Sequence, residues 1–207
     1  MSRMRINVIE TQKGTGKGRS LIEPVMDFVA LDVETTGLSP YTDKLIEIGL
    51  VRVRNGMERE CYSTLIQPER RISPHITALT GITNAMLSDA PVISEILPEV
   101  LQFIGGDIIV GHNVNFDIGF MHAACMHALQ FGFSNDFIDT MRLSRKHFRD
   151  LPNHRLATLV CAFGIDQGNA HRALADAQAT TRCYLHMCGK ILVKEKAAAK
   201  AAGSIGT

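Results

Sequence analysis

The chain has 207 residues, a hydrophobic fraction of 45% and a charged fraction of 21%, which are ordinary values for a soluble globular protein. This length predicts one domain with a core, flanked by tails. The 22 Lys and Arg residues nearly balance the 21 Asp and Glu residues, which excludes a globally basic surface. Any polyanion would therefore be bound by a local patch or through a metal.

Cysteine usage favours a reducing compartment. The five cysteines are odd in number, no two have CxxC spacing, and no secretory signal precedes them. No apolar stretch approaches the length that crosses a membrane. The cytoplasm is the expected location, no membrane partner is expected, and the cysteines are predicted to be small core residues. They are Cys61, Cys125, Cys161, Cys183 and Cys188.

Composition divides the chain into three parts: a flexible basic leader (1–23), an organised domain (24–189) and a short Ala/Lys-rich tail (190–207). The domain opens with an apolar run at 28–33, which predicts a buried strand. Two further β-rich segments, Leu45 to Val53 and Cys61 to Ile66, are joined through Asn55-Gly56. Asn-Gly is the strongest short hairpin signal, so three antiparallel strands are expected first.

The second half of the domain alternates between strands and helices. Short helices are expected within Ser73 to Pro91, then a helix at Val92–Ile104, a strand at Asp107–Val110, a helix at Asn115–Gln130, a strand at Phe137–Asp139, and helices at Arg155–Phe163 and Ala173–Gly189. This order predicts an α/β fold. Its central sheet is mixed, with antiparallel strands followed by parallel ones, and helices flank it on both faces.

An acidic pair, Asp32 and Glu34, stands at the end of the first apolar run. Because side chains alternate along a strand, both carboxylates point to the same side. Two neighbouring carboxylates at the end of a buried strand repel each other and are costly to desolvate. A hard divalent metal would compensate them, whereas two solvated acids at a strand end are the simpler alternative.

Three further polar residues occupy helix starts. Asp117 lies in the first turn of the helix that follows the second buried strand, at the edge where open α/β sheets bind ligands. His171 and Asp176 open the last long helix. Taken singly, each acid is explained by the helix dipole, and His171 by a cap or surface position.

Taken together, these residues form an ordered set of motifs: DxETTGL from Asp32, GHNxxFD from Gly111, and HxALxD from His171. The set resembles the DEDDh branch of the 3′→5′ exonucleases, which have an RNase H-like fold. The resemblance runs from about Met26 to Cys188, which makes residues 24–189 the exonuclease domain. The variant ETTGL is similar to that of the bacterial proofreading group, which includes the epsilon subunit of DNA polymerase III.

The resemblance implies a catalytic site with two divalent cations, Mg²⁺ or Mn²⁺, held by Asp32, Glu34, Asp117 and Asp176. Asp32 would contact both ions, Glu34 and Asp176 would complete one of them, and Asp117 would support the other. His171 would be the general base for the attacking water. Sparse oxygen sites of this kind suit Mg²⁺ or Mn²⁺ better than Ca²⁺.

The resemblance also implies substrate contacts. Thr35 would meet the terminal nucleotide, Leu79 and Thr80 would line the base pocket, and His112 and Phe116 would flank the sugar and the scissile phosphate. An apolar stacking surface suits a frayed single-stranded end, because stacking tolerates any base. Core packing is the alternative for Leu79 and Phe116.

A basic stretch precedes the last motif and could follow the phosphate backbone, although a solvated helix face explains it equally well. It comprises Arg142, Arg145, Lys146, Arg149 and Arg155.

The expected substrate is the 3′ end of single-stranded or mismatched DNA. An exoribonuclease with the same site stays open, because tolerance of the 2′-hydroxyl depends on the shape of the pocket. A non-catalytic adaptor that binds nucleic-acid ends is less favoured, since none of the five motif residues is lost. A replicative polymerase is a possible partner, yet neither the leader nor the tail contains a recognisable clamp-binding or polymerase-binding peptide.

Overall fold

The computed structural model describes residues 16–203, except residues 167 and 169. Its strands are β1 (Ser20–Leu21), β2 (Phe28–Thr35), β3 (Leu45–Arg54), β4 (Met57–Leu65), β5 (Ile109–Gly111) and β6 (Phe137–Asp139). Its helices are α1 (Pro74–Thr80), α2 (Asn84–Leu87), α3 (Ile93–Ile104), α4 (Asn115–Leu129), α5 (Thr140–His147), α6 (Leu156–Phe163) and α7 (Ala173–Gly203).

The described strands form one sheet in the order β1-β6-β5-β2-β3-β4. Strands β2, β3 and β4 pair antiparallel, whereas β2, β5, β6 and β1 pair parallel. This arrangement confirms the predicted mixed sheet. The parallel pairing places the carboxyl ends of β2 and β5 at the same edge, where ligands of open α/β sheets are bound.

The predicted hairpin joins β3 to β4. Asn55 and Gly56 have φ angles of 53° and 70°, and these positive values are what a two-residue hairpin turn requires. The hairpin fixes the register of β4 beside β3.

The sheet has an apolar core on each face. Alternate residues of β2 divide between the cores: Val29, Leu31 and Val33 pack on the side of α3 and α4. Phe28 and Ala30 pack on the other side, together with α5, α6 and α7. On that side the ring of Phe28 meets the ring of Tyr184 edge-on at 5.0 Å. Helix α7 is therefore anchored across the middle of the sheet.

Two elements cross the predicted domain boundaries. Strand β1 lies inside the predicted leader, where it pairs with β6, and Arg19 binds the Asp136 carboxylate at 2.7 Å. The sequence did not indicate this strand because two residues are too few to carry a periodic pattern. Helix α7 continues past Gly189 to Gly203, since Ala and Lys favour helix and Ile191 still packs in the core. Residues 1–15 and 204–207 of the predicted leader and tail lie outside the described residues.

Two smaller predictions also change. Helix α5 was not predicted, although Asp139 caps it by accepting a hydrogen bond from the Met141 N–H at 2.9 Å. Of the five cysteines, three are buried as expected, but Cys61 and Cys161 are exposed, because β4 is an edge strand and α6 has a solvent-facing side. Within residues 16–203 as described, no helix has the length and apolar character to cross a membrane.

Candidate active site

The acids of β2 lie on the face of the sheet that packs against α7. Phe28 and Ala30 belong to the apolar core of this face. Because side chains alternate along a strand, Asp32 and Glu34 continue the same row beyond the core. The apolar run of the sequence therefore places both carboxylates under the start of α7.

Helix α7 approaches the sheet closely because β3 has a glycine at the crossing point. Gly49 is the register partner of Asp32. A Cβ at Gly49 would lie 2.3 Å from the backbone of Ala173 and Leu174, so no other residue fits without moving the helix. The missing side chain lets the first turn of α7 lie directly above Asp32.

That first turn brings the third acid into place. Asp32, Glu34 and Asp176 each offer a carboxylate oxygen, and these three oxygens lie within 4.8 Å of one another. Residues 144 positions apart in sequence thus share one oxygen-rich site. The structure brings together three of the four residues that the sequence predicted as metal ligands.

The fourth acid, Asp117, is held at the edge of this group. It is buried in the first turn of α4, and its Oδ1 accepts a hydrogen bond from the Val33 N–H at 3.0 Å. Its charge is the largest neighbouring contribution to the raised pKa of Asp32. Asp117 therefore stands beside the three-acid group without being part of it.

The protonation of these acids reflects burial and mutual repulsion. Burial raises the pKa of the Asp32 carboxyl well above its ordinary range, and the neighbouring carboxylates raise it further. Burial raises the pKa of Glu34 from 4.5 to about 7, and the charge of Asp176 adds to this effect. The pKa of Asp117 is likewise raised by burial. A compact set of oxygen donors that repel one another is suited to a hard divalent cation, so these residues fit the predicted metal site.

His171 precedes α7 and is exposed. Its backbone has a φ of 62°, in the left-handed region that residues other than glycine rarely adopt. Its N–H donates a hydrogen bond to Oδ2 of Asp176 at 3.2 Å. This bond ties His171 to one of the three acids, and its role as a general base stays a prediction.

Sequence reasoning missed an ion pair beside this group. Glu47 faces Glu34 across the β2–β3 pair and is buried, and its carboxylate binds the guanidinium of Arg172 at 2.7 Å. A charged residue inside the apolar run LIEIGLV was a signal for it, since Glu47 and Gly49 share the face of α7. The partner could not be found from sequence, because 125 positions separate the two residues.

The predicted substrate residues are placed in different surroundings. The Thr35 hydroxyl donates to the Gly37 carbonyl at 2.6 Å. Thr80 is buried, and its hydroxyl donates to the Ile76 carbonyl and accepts from the Ile82 N–H. Both hydroxyls thus have intramolecular partners.

The two apolar residues predicted to meet the substrate differ in exposure. Leu79 is 47% exposed at the end of α1. Phe116 lies one residue before Asp117, and its ring contacts the ring of Phe120 at 5.0 Å. Their contact with a substrate stays a prediction.

His112 is bonded to α5. The Thr140 hydroxyl donates to the Gly111 carbonyl at 3.1 Å, so it accepts a hydrogen bond from Nδ1 of His112 at 2.9 Å. Its Nε2 is buried and has no hydrogen-bond partner among the described residues. Burial lowers the pKa of His112 to about 4, which keeps the ring neutral at physiological pH.

The basic stretch is exposed along α5 and the segment that follows it. All five of its residues have exposed side chains, which agrees with either interpretation made from the sequence. Arg142 donates to the hydroxyl of Ser20 in β1 at 2.7 Å. The residues are Arg142, Arg145, Lys146, Arg149 and Arg155.

Two solved structures are similar in fold. Exonuclease X, in complex with 5′ overhanging duplex DNA, is 27% identical with a TM-score of 0.66, and the match covers 79% of this chain and 92% of that one. E. coli Exonuclease I, in complex with a dT13 oligonucleotide, is 21% identical with a TM-score of 0.68, covering 78% and 40%. These similarities confirm the RNase H-like exonuclease fold.

Two relatives in sequence are named as DNA polymerase III proteins. The DNA polymerase III PolC-type of Caldanaerobacter subterraneus subsp. tengcongensis is 40% identical over 177 residues, which are 86% of this chain and 12% of that protein, so the chain spans a small part of it. DNA polymerase III subunit epsilon of Aquifex aeolicus is 36% identical over 184 residues, covering 88% of this chain and 91% of the subunit. Residues 29–184 match the exonuclease family of the RNase T type. The chain therefore belongs to the exonuclease family and is an enzyme of its 3′→5′ DEDDh type.

Proposed function

We propose that the chain removes 5′-mononucleotides from single-stranded or mismatched DNA 3′ ends, using two divalent cations. One observation carries this proposal: the carboxylate oxygens of Asp32, Glu34 and Asp176 lie within 4.8 Å of one another. Asp117 adds a fourth acid beside them, held by the backbone of β2. This is the set of acids on which the family resemblance was based.

The four carboxylates hold Mg²⁺ or Mn²⁺ in this proposal. Asp32 would help to hold both ions, Glu34 and Asp176 would help to hold one of them, and Asp117 would support the other. When bound, two such cations neutralise charge on the entering and leaving oxygens of an in-line displacement. The raised pKa values of Asp32 and Glu34 are consistent with this role, because a cation would offset the burial and the repulsion that raise them.

His171 acts as the general base. Its exposure at the start of α7 gives the imidazole access to solvent and to an incoming strand. Its backbone bond to Asp176 keeps it beside the acids. A neutral imidazole can accept a proton from water, which is what a general base supplies.

The 3′ end of the strand enters over Thr35 and Phe116, with Leu79 as an apolar contact for the terminal base. Stacking on such side chains tolerates any base, so the chain degrades DNA with little sequence preference. A paired end must first be separated, which costs a few kcal/mol, so matched duplex ends react more slowly than mismatched ones.

One assay tests both the activity and its substrate. A labelled oligonucleotide of one sequence is supplied as DNA and as RNA, with the 3′ end free or blocked by phosphate, in Mg²⁺ and in excess chelator. We expect 5′-mononucleotides from the free DNA end, in Mg²⁺ only. Faster degradation of the RNA would assign the chain to RNA trimming, and internal cuts in a circular strand would contradict an exonuclease. Binding without cleavage would favour an adaptor.

The names of the relatives support a setting beside a DNA polymerase. The similar Aquifex protein is named as a subunit of DNA polymerase III, and the longer relatives are named as PolC-type polymerases. We therefore propose proofreading as the role of this nuclease. Adding the chain to a polymerase reaction should lower the frequency of misincorporated nucleotides, whereas the Asp32→Ala variant should leave it unchanged.

A further inference from the structure

We propose that Glu47 and Arg172 form a positioning pair, which holds His171 and the first turn of α7 in register with the three acids. This inference rests on the proposed function and deepens it, since it concerns how the site is kept assembled. Glu47 is not among the four acids of the sequence motifs, and no role was predicted for Arg172. Both touch the segment that carries His171 and Asp176.

Glu47 binds the start of α7 through several hydrogen bonds. Its carboxylate accepts from Nε of Arg172 at 3.1 and 3.2 Å and from Nη2 at 2.7 Å. It also accepts from the backbone N–H of Ala173 at 3.0 Å. The residue is only 2% exposed, so these bonds form with little competition from water.

These bonds restrain a segment whose backbone is unfavourable. His171 adopts a φ of 62°, which a residue with a Cβ keeps only when its surroundings determine it. Its own N–H is bonded to the Asp176 carboxylate, and the next residue is bonded to Glu47. The left-handed turn at His171 is therefore fixed from both sides, by α7 itself and by β3.

The pair also explains why Glu47 need not be a metal ligand. Glu47 is the register partner of Glu34, so its carboxylate lies beside the acids. Its charge is matched by a guanidinium in bidentate geometry. Glu47 thus holds the start of α7, while Arg172 offsets part of its charge beside the acids.

A cavity of about 390 Å³ beside the pair provides the competing explanation. Arg172 and Arg182 both line it, and the Arg172 side chain is 38% exposed. A phosphate of the substrate could therefore bind Arg172 directly. The two roles differ in what they change: a positioning residue alters kcat, whereas a phosphate contact alters KM and its dependence on salt.

The experiment compares Glu47→Gln, Arg172→Met and the double variant in saturating Mg²⁺ on a single-stranded oligonucleotide. Each single variant should lower kcat about 10–100-fold, the usual effect of displacing a residue that supports a metal site, with KM within about twofold. The double variant should be no slower than the slower single variant, because both remove the same interaction.

Arg54→Met is the matched control. Arg54 lies on the same strand, is 31% exposed and is paired with Asp107, but it stands at the far end of β3 from Glu47. Its kcat and KM should equal those of the wild type. Circular dichroism checks that each variant folds, and should Glu47→Gln fail to fold, the split between kcat and KM in Arg172→Met decides alone.

Two results would overturn the pair. An increase of KM with kcat preserved in Arg172→Met, together with a weaker salt dependence, would make Arg172 a phosphate contact. Multiplying losses in the double variant would show that the two residues act independently.

Amide hydrogen exchange separates this inference from the proposed function. The amides of residues 170–174 should exchange faster in Arg172→Met than in Arg54→Met, whether or not the wild type is a nuclease. If the wild type cleaves no DNA, the proposed function fails while exchange still tests the pair. If it cleaves DNA and exchange is unchanged, the pair alone is wrong.

Discussion

The two ends of the β2–β3 pair face the same helix with opposite chemistry. At one end Phe28 and Ala30 pack against the apolar side of α7, with the buried Tyr184 at the centre. At the other end the same row continues as Asp32 and Glu34, which burial and mutual repulsion make unfavourable as anions. The apolar end stabilises the fold, whereas charged carboxylates at the acidic end lower its stability. The acids and the apolar packing that holds the helix thus lie against different parts of α7.

The largest expected effect is at the acidic end. Replacing Asp32 with Ala should abolish cleavage almost completely, since this acid is proposed to contact both cations. It should also abolish the rise in melting temperature that Mg²⁺ or Mn²⁺ gives the wild type, because ion binding stabilises only the folded state. Asp27→Asn, at the opposite end of β2, is the control and should leave both unchanged. Full activity of the wild type in excess chelator would refute the metal site.

The next effect concerns His171. His171→Ala should lower kcat by about 10²–10⁴-fold, the usual contribution of a general base. The rise in melting temperature with Mg²⁺ should be retained, because the carboxylates are intact. Calorimetric titration with Mn²⁺ and single-turnover kinetics measure the two properties separately. A variant that loses affinity for the ion but keeps its rate per bound ion would identify His171 as a ligand instead.

The third effect is on stability against pH in the absence of metal. The pKa of Glu34 is about 7 in the folded protein against an ordinary 4.5, so between these values the folded state binds more protons than the unfolded state. The contribution of Glu34 to the free energy of unfolding is therefore present below pH 4.5 and is lost as pH rises to 7. The loss is on the order of 3 kcal/mol.

The difference between wild type and Glu34→Gln isolates this contribution. His112 acts in the opposite direction, because its pKa is lowered to about 4 and its contribution grows as pH rises toward 6.5. It is present in both proteins and cancels in the difference. Urea unfolding in chelator, from pH 4.5 to 7.5, makes the measurement. A difference that stays constant across this range would contradict the repulsion among the acids.

The smallest effect is at the apolar end. The Tyr184 hydroxyl accepts a hydrogen bond from the Val25 N–H at 2.8 Å and donates one to the Val25 carbonyl at 3.2 Å. Tyr184→Phe should lower the free energy of unfolding by about 1–2 kcal/mol, because both backbone groups lose their partner. The kcat of the folded enzyme should not change. A lower kcat would mean that the two ends of the β2–β3 pair are coupled.

Sequence patterns with local causes predicted most of the fold. The alternation in β2, the Asn55-Gly56 turn and the helical spacing of α3 and α4 each depend on neighbours within a few residues. The mixed sheet then followed from the order of strands and helices along the chain. Strand β1 was missed because it has only two residues and its place is set by a distant partner, Phe137. Helix α5 was missed although its cap is local, since Asp139 both ends β6 and caps the helix.

The same distinction applies to the site. The four acids and His171 could be named because motif spacing locates them on their own elements. The bond from Val33 to Asp117 and the pair of Glu47 with Arg172 join residues 84 and 125 positions apart, and no local pattern reports such contacts. The hydrogen bonds that the Thr35 and Thr80 hydroxyls donate to backbone carbonyls were not predicted from the sequence either.

The fold should tolerate longer loops better than it tolerates a side chain at Gly49. Loops between the strands and helices can lengthen at small entropic cost, because closing a longer loop costs little more than closing a short one. A single methyl group at position 49 would instead meet the backbone of Ala173 and Leu174 and push α7 outward. The helix carries Asp176, so one added carbon would open the gap between acids that many inserted residues elsewhere would leave intact. The spacing between the acids thus depends on the missing Cβ of Gly49.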